Sequence, residues 1–173
     1  YFRFELKIIP KFMNNYPELK KALLGESATE RLVVRVKKAQ LPDMNLQTQS
    51  HSYYGPLIKY PYENSTSDLN VEIICSNDMW ERQFFTAWQN YILDYGTRAN
   101  RASFNVAYLE DFVSDIDVVL YNAEAKEIYR ATFENAYPMQ IGVVDVDWSA
   151  KDTVMSFYAI FSFSYWSPST KYS

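Results

Sequence analysis

Apolar and polar side chains alternate along much of this chain with a period of two, the spacing of a strand that lays one face on a core. Phe2, Phe4, Leu6 and Ile8 stand opposite Arg3, Glu5 and Lys7, and Pro10 ends that run. Leu32, Val34 and Val36 then oppose Arg31, Arg35 and Lys37 up to Leu41-Pro42, and Leu69, Val71, Ile73 and Cys75 share one face of a third run. Further strands are expected over 100–108, 115–121 and 127–133, separated by Asp, Ser and Asn turns. The closing third is the most regular. Two extended runs, Gln140 to Trp148 and Thr153 to Trp166, flank Ser149-Ala150-Lys151-Asp152 and read as a β-hairpin. In its second arm Met155, Phe157, Ala159, Phe161, Phe163 and Tyr165 share a face opposite Ser156, Ser162 and Ser164. A strand of about fourteen residues exceeds the usual length, so a large partner is expected against it.

A helical period occurs twice. Asn15-Tyr16-Pro17-Glu18 opens a short helix through Leu24, stopped by Gly25. The stronger helix spans about 78–95, with Asp78 as N-cap, Glu81 completing an acidic capping box, and Gly96 as the stop. Its stripe of Trp80, Phe84, Trp88, Tyr91 and Tyr95, widened by Phe85 and Ile92, predicts a helix lying on a sheet, with Trp80, Phe84 and Trp88 in the core. Between these elements, residues 44–68 are polar and rich in tyrosine and turn formers. A long unstructured loop is foreign to a compact domain, so this stretch reads as a long hairpin or arm. Tyr53, Tyr54, Tyr60 and Tyr62 have few aliphatic neighbours in it, and the arm is expected to become ordered only by pairing with a partner, such as a neighbouring subunit's sheet. The fold class that follows is mainly β: an antiparallel sandwich or partial barrel with one packed helix. It forms a single domain over 1–173, with 10–30 as an inserted segment and 44–68 as the arm.

Composition adds a need for partners. Of 173 residues 17% are aromatic, including 15 Tyr and 11 Phe, and they crowd both faces of the longest strand. One interior of this size cannot hold them all, so a subunit interface is expected. Net charge is −4, without the basic footprint of an ordinary nucleic-acid binder. Its distribution is uneven: residues 1–38 carry nine Lys/Arg against four Asp/Glu, and residues 110–152 carry three against ten. Cys75 is the only cysteine, which excludes an intrachain disulfide, and no run approaches the 18 apolar residues of a membrane span. Tyr1 already stands mid-strand, so residues before it are expected.

Catalytic chemistry finds no foothold. His51 is the sole histidine, and the adjacent Ser50 and Ser52 lie in no nucleophile-elbow motif. A lone His and a lone Cys on separate segments cannot make a metal cluster, and no calcium loop is present. Asp115/Asp117 and Asp145/Asp147 are carboxylate pairs about 7 Å apart on one strand face, a separation an inverting glycosidase could use, but alternating acids are first the wet face of a strand. The four glycines are scattered, so no phosphate loop forms, and Asn64-Ser65-Thr66 reads as a plain turn. Neither enzyme activity nor a cofactor is expected.

One resemblance supplies a function. Phe133-Glu134-Asn135-Ala136-Tyr137-Pro138, Ile141-Gly142 and Val146-Asp147-Trp148, closing on a long strand ending Tyr165-Trp166, resemble the C-terminal half of contractile-tail phage tube proteins. Strand 31–39 with Leu41-Pro42, the arm, strand 69–75, and Asn77-Asp78 leading into a helix with Phe84 and Trp88 extend that likeness over most of 31–168. It implies a structural virion protein, made in the host cytoplasm, whose homohexameric rings stack into the conduit for DNA ejection. The subunits' sheets would form a ring-shaped β-barrel, with tail sheath, baseplate and terminator proteins as partners. DNA passes such a wall without specific binding and there is no membrane anchor. Asp115, Asp117, Asp145 and Asp147 are the lumen-facing candidates, because an acidic wall repels phosphate along the whole path, and the basic first 38 residues would then lie outside or at a ring edge. The segment Pro10 to Glu30 is longer than a minimal tube subunit needs, which leaves open a tube initiator at the baseplate. A type VI tube-like protein, a lipocalin-like binder and a carboxylate-pair hydrolase are the remaining alternatives.

Overall fold

The computed structural model describes residues 3–8, 32–52, 54–94, 105–144 and 154–169. Their elements, in chain order, are β1 (Arg3–Ile8), β2 (Leu32–Gln40), β3 (Met44–His51), β4 (Ile58–Thr66), β5 (Leu69–Ile74), α1 (Trp80–Ile92), β6 (Leu93–Asp94), β7 (Asn105–Val106), α2 (Leu109–Phe112), β8 (Ser114–Tyr121), β9 (Glu127–Ile141), β10 (Ser156–Ser162) and β11 (Tyr165–Ser169). The expected helix over 15–24 lies outside the described residues.

The main sheet closes on itself. Its strands run β10-β5-β2-β1-β8-β9-β11, every adjacent pair antiparallel, and β10 also pairs with β9. Strands β1, β2, β5, β10, β9 and β8 thus form a barrel, and β11 carries the β10 line further along β9. The period-two pattern is what fills it. Leu6, Ile8, Val34, Val71, Ile73, Ile116, Phe133, Ala159 and Phe161 are all fully buried inside. A barrel of this strand number has an interior that side chains alone occupy.

Helix α1 supplies part of that filling, with Phe84 and Trp88 of the aromatic stripe in the core, Trp80, also expected there, only partly buried, and Tyr95 outside the described residues. Phe84, Phe85 and Trp88 are fully buried, and Trp80, Tyr91 and Ile92 pack against the core from its margin. Phe85 meets Phe157 and Phe161 edge-on at ring centroid distances of 6.1 and 5.7 Å. The Trp88 indole N–H donates to the Phe112 carbonyl at 2.8 Å, so the one polar atom of that buried ring is satisfied and ties α2 to α1.

Several expectations need correction. Met79 rather than Asp78 is the N-cap of α1, in a left-handed conformation with φ of 50° and no side-chain cap bond. A turn closed by the Met79 N–H on the Ser76 carbonyl, at 3.0 Å, places the cap one residue later. Glu81 does reach back, but to Ser76, accepting from its backbone N–H at 3.0 Å and its hydroxyl at 2.6 Å. The helix ends at Ile92, before Tyr95 and Gly96, because Leu93 turns into extended backbone and pairs with Val106. Of the strand expected over 100–108, the described part is Asn105–Val106, and Leu109–Phe112 is a helical turn.

Of the closing hairpin, Gln140 and Ile141 pair with Ile160 and Ala159 as expected, and its first arm from residue 145 and its turn lie outside the described residues. The partner of β10 and β11 is β9, which runs from Glu127 without interruption to Ile141, and residues 142–144 are already outside it. Pro138 is tolerated within β9 because the ladder shifts register between Ile160 and Phe161 there. Tyr165 does not share the apolar face. The strand is interrupted at Phe163–Ser164, level with the left-handed Asn135 of β9 (φ 52°), so the alternation changes phase. Phe163 and Trp166 both pack on Phe133, with centroids 5.0 and 5.9 Å away, while Tyr165 is 62% exposed.

Because Trp88 fills the barrel, Trp88→Ala is expected to cost about 3–5 kcal/mol. Denaturant unfolding of the variant measures this; a loss below about 1 kcal/mol would contradict the packing described.

Candidate functional site

The described residues hold no cluster of three or more His, Cys, Asp or Glu placed to bind a metal ion. His51 is exposed at the end of β3, paired across the ladder with Ile58. Burial pushes the half-buried Cys75 thiol up, away from the thiolate that a nucleophile requires. The features with functional content are the arm and the charged outer faces of the barrel.

The arm is a two-stranded antiparallel hairpin of β3 and β4, in register from Met44–Thr66 to His51–Ile58, with one bulge between Gln47 and Thr48. Nearly every residue on both of its faces is exposed. Tyr60 and Tyr62 are exposed along β4, with the Tyr62 hydroxyl donating to the Gln47 side-chain oxygen at 2.9 Å. Tyr54 stands fully exposed at the tip with φ of 41°, and Tyr53 lies outside the described residues. Met44, Leu46, Leu57 and Ile58 are exposed too. The root is clamped: the Asp43 N–H donates to the Ser67 hydroxyl and the Ser67 N–H to the Asp43 carboxylate, both at 3.3 Å. Hydrogen bonding from the Ser67 side chain first, and from its backbone N–H second, holds the Asp43 carboxyl below its ordinary range. A ribbon with two wet faces is marginal in water by itself.

Asp115 and Asp117 project from the outer face of β8. Asp117 accepts from the Arg130 guanidinium at 3.1 Å and the Thr132 hydroxyl at 2.8 Å, and Arg130 also makes two bonds to Glu127 at 2.9 and 2.8 Å. The Glu127 bonds foremost, together with the Asp117 charge, raise the Arg130 pKa and keep it firmly protonated. Asp115 accepts the Asn135 backbone N–H at 3.3 Å and so caps the bulge that re-aims β9. Lys7 is the direct cross-strand partner of Asp117, and its amine donates to the Tyr121 hydroxyl at 2.7 Å. Basic β1 and acidic β8 therefore share one face. Antiparallel pairing sets directly opposed residues on the same side, so whichever surface Asp117 faces, Lys7 faces it too. Asp145 and Asp147 lie outside the described residues.

The chain leading toward them is pinned at Gly142. Its N–H donates to the Tyr158 carbonyl at 2.6 Å, and Arg82 of α1 donates to its carbonyl while lying over the Phe157 ring. A Cβ at Gly142 would meet the Tyr158 carbonyl oxygen at 3.0 Å, so any larger residue here would press on the β10 backbone. On the adjoining outer face, Glu72 is almost completely buried and accepts from Lys37 and from the Ser156 hydroxyl, each at 2.7 Å. The Lys37 bond first, then Ser156, holds the Glu72 carboxyl below its ordinary value. Sequence reading missed this cluster because its members sit on three strands far apart in the chain.

The family model for phage tail tube protein matches residues 2–169, and the chain belongs to that family. It is thus a structural tube-type protein rather than an enzyme, and its mainly β fold is the fold of known tube proteins. Among solved structures it is similar to a chain of the anti-feeding prophage baseplate (TM-score 0.62, 10% identity, covering 96% of this chain and 91% of that one). It is likewise similar to a chain of the sheath–tube complex of the extracellular contractile injection system PVC in its extended state (0.61, 12%, 96% and 87%). Hcp1 from Flavobacterium johnsoniae is a third match (0.54, 10%, 96% and 94%). At such identities these likenesses show the fold. A search of curated proteins finds no match.

Glu72 gives a pH dependence with a definite sign. Its folded pKa lies below the ordinary glutamate value of 4.5, so its contribution to stability is complete above that pH and is lost as pH falls from there through the folded value. Thermal melts between neutral and acid pH should show Glu72→Gln less stable than the parent at pH 7, with the gap closing below that value. A gap that widens on acidification would overturn the assignment.

Proposed function

We propose that this chain is the repeating subunit of a phage tail tube, closing into homohexameric rings that stack into the conduit for DNA ejection. The family match over 2–169 carries the reading. Two physical features support it. The main barrel is closed and internally satisfied, whereas the arm displays Met44, Leu46, Ile58, Tyr60 and Tyr62 with nothing of its own to cover them. Burial against a neighbouring subunit or ring resolves that imbalance. The subunits' sheets then make the ring-shaped β-barrel of the assembled tube. In this reading the protein resides in the virion tail after synthesis in the host cytoplasm, and its partners are further copies of itself, the sheath, the baseplate and the terminator. A tube initiator of the same fold is the second reading, favoured by the likeness to an anti-feeding prophage baseplate chain.

The face bearing Asp115 and Asp117 is our candidate for the passage wall, and its charge is compensated rather than uniformly acidic. Arg130 bridges Asp117 to Glu127, and Lys7 stands opposite Asp117. A wall of internal ion pairs offers phosphate no deep minimum, which suits rapid transit as well as plain repulsion does. Asp115, bonded to a backbone N–H rather than a cation, is the carboxylate we expect DNA to sense. Asp115→Lys should assemble and slow DNA delivery, with Asp115→Asn near the parent rate; a lysine variant that delivers at the normal rate removes Asp115 from the wall.

Negative-stain images of the purified protein should show six-fold rings or tubes. Deleting residues 49–60 should leave a soluble, β-rich monomer. Folded monomers of the parent chain at high concentration would overturn the proposal, and a deletion variant that still polymerises would remove the arm as connector.

A further inference from the structure

We infer that the free edge of β3 in one copy pairs with the free edge of β11 in a neighbouring copy, so that the arm extends the neighbour's sheet by strand addition. The inference rests on the assembly proposed above and names the two edges that meet. Among the described residues, β11 pairs only with β9 and β3 pairs only with β4. The vacancy beside β11 has a structural cause. Strand β5 covers β10 from Ser156 to Phe161 and ends there, because residue 69 is its first and the Asp43–Ser67 clamp turns the preceding chain out into the arm. The line of backbone groups over Tyr165–Ser169 is thus left open on the side away from β9. Among the described residues a copy's own arm makes no strand pairing with β11, so the occupant inferred is the arm of a second copy.

Edge chemistry selects β3 over β4. Strands that must stay unpaired carry lysine, other charges or proline, and β4 has Lys59, Pro61 and Glu63. Strand β3, Met-Asn-Leu-Gln-Thr-Gln-Ser-His, has no proline and no Lys, Arg, Asp or Glu, so its outer N–H and C=O groups are unguarded. Strand β11 is also free of charge and interrupted only by Pro168 near its end. Two uncharged edges, each short of one hydrogen-bonding neighbour among the described residues, meet each other's requirement, and the exposed Met44, Leu46 and Tyr165 would be covered in the same step.

Cysteine cross-linking in an assembly-competent Cys75→Ser background tests this. Asn45→Cys, Gln47→Cys or Gln49→Cys protein is mixed with Ser167→Cys protein, assembled and mildly oxidised. Disulfide-linked dimers should form in the mixtures and not from Ser167→Cys alone, while Lys59→Cys on β4 should give none with Ser167→Cys. As a second readout, amide exchange over 44–51 and 165–169 should slow by about ten-fold or more on assembly. Rings that form with no link from any β3 position, or with Lys59→Cys linking instead, overturn the β3–β11 pairing and leave the tube reading intact. Failure of the parent chain to assemble at all overturns both.

Discussion

The hydrogen-bonded closure between β9 and β10 is the constraint on which the rest of the molecule depends. Without it the sheet would be open, with β10 as one exposed margin and β11, together with the stretch of β9 that β11 does not cover, as the other. With it, each barrel strand has two neighbours and backbone valence is spent inside the subunit. Strand β9 bears most of this, pairing with β8 along one side and with β10 then β11 along the other over fifteen residues. Two irregularities let so long a strand follow a curved surface. The register slip at Pro138 and the left-handed Asn135, its N–H held by Asp115, each re-aim the chain.

Closure also decides where the remaining apolar surface goes. The interior holds β-branched residues and a block of aromatics contributed jointly by α1 and β10, with Phe84, Phe85, Trp88, Phe157 and Phe161 in mutual contact. Much of what does not fit is displayed on the arm, with Tyr108, Val143, Tyr158 and Tyr165 exposed elsewhere. A self-sufficient barrel beside an arm with two wet faces is a division of labour between folding and assembly. The body can fold as a monomer, and association can then use surface that folding left unused.

Much of this was legible in the sequence because the signals are local. The aromatic stripe of α1 repeats at helical spacing, so Phe84 and Trp88 could be assigned to the core from their positions alone. The alternation in β1, β2, β5 and β10 likewise fixed the inward residues, and the arm declared itself by polar composition between two turn signals. What was hidden is non-local. Nothing near Asp117 in the chain announces Lys7 as its neighbour, since β1 and β8 are paired across more than a hundred residues, and a reading by sequence segment separated acid from base where the sheet brings them together. A strand expected to end at Phe133 continues through Pro138 to Ile141 because its partners in β10 are distant in the chain and the register shift beside Pro138 accommodates the missing N–H. The Glu72 cluster escaped notice for the same reason, its members coming from β2, β5 and β10.

Native mass spectrometry of the purified chain, read across a range of protein concentrations, addresses the tube subunit most directly. Tube formation predicts species at six times the chain mass and at multiples of that value as rings stack, appearing as concentration rises. A folded chain that stays at the mass of one copy throughout that range would contradict it.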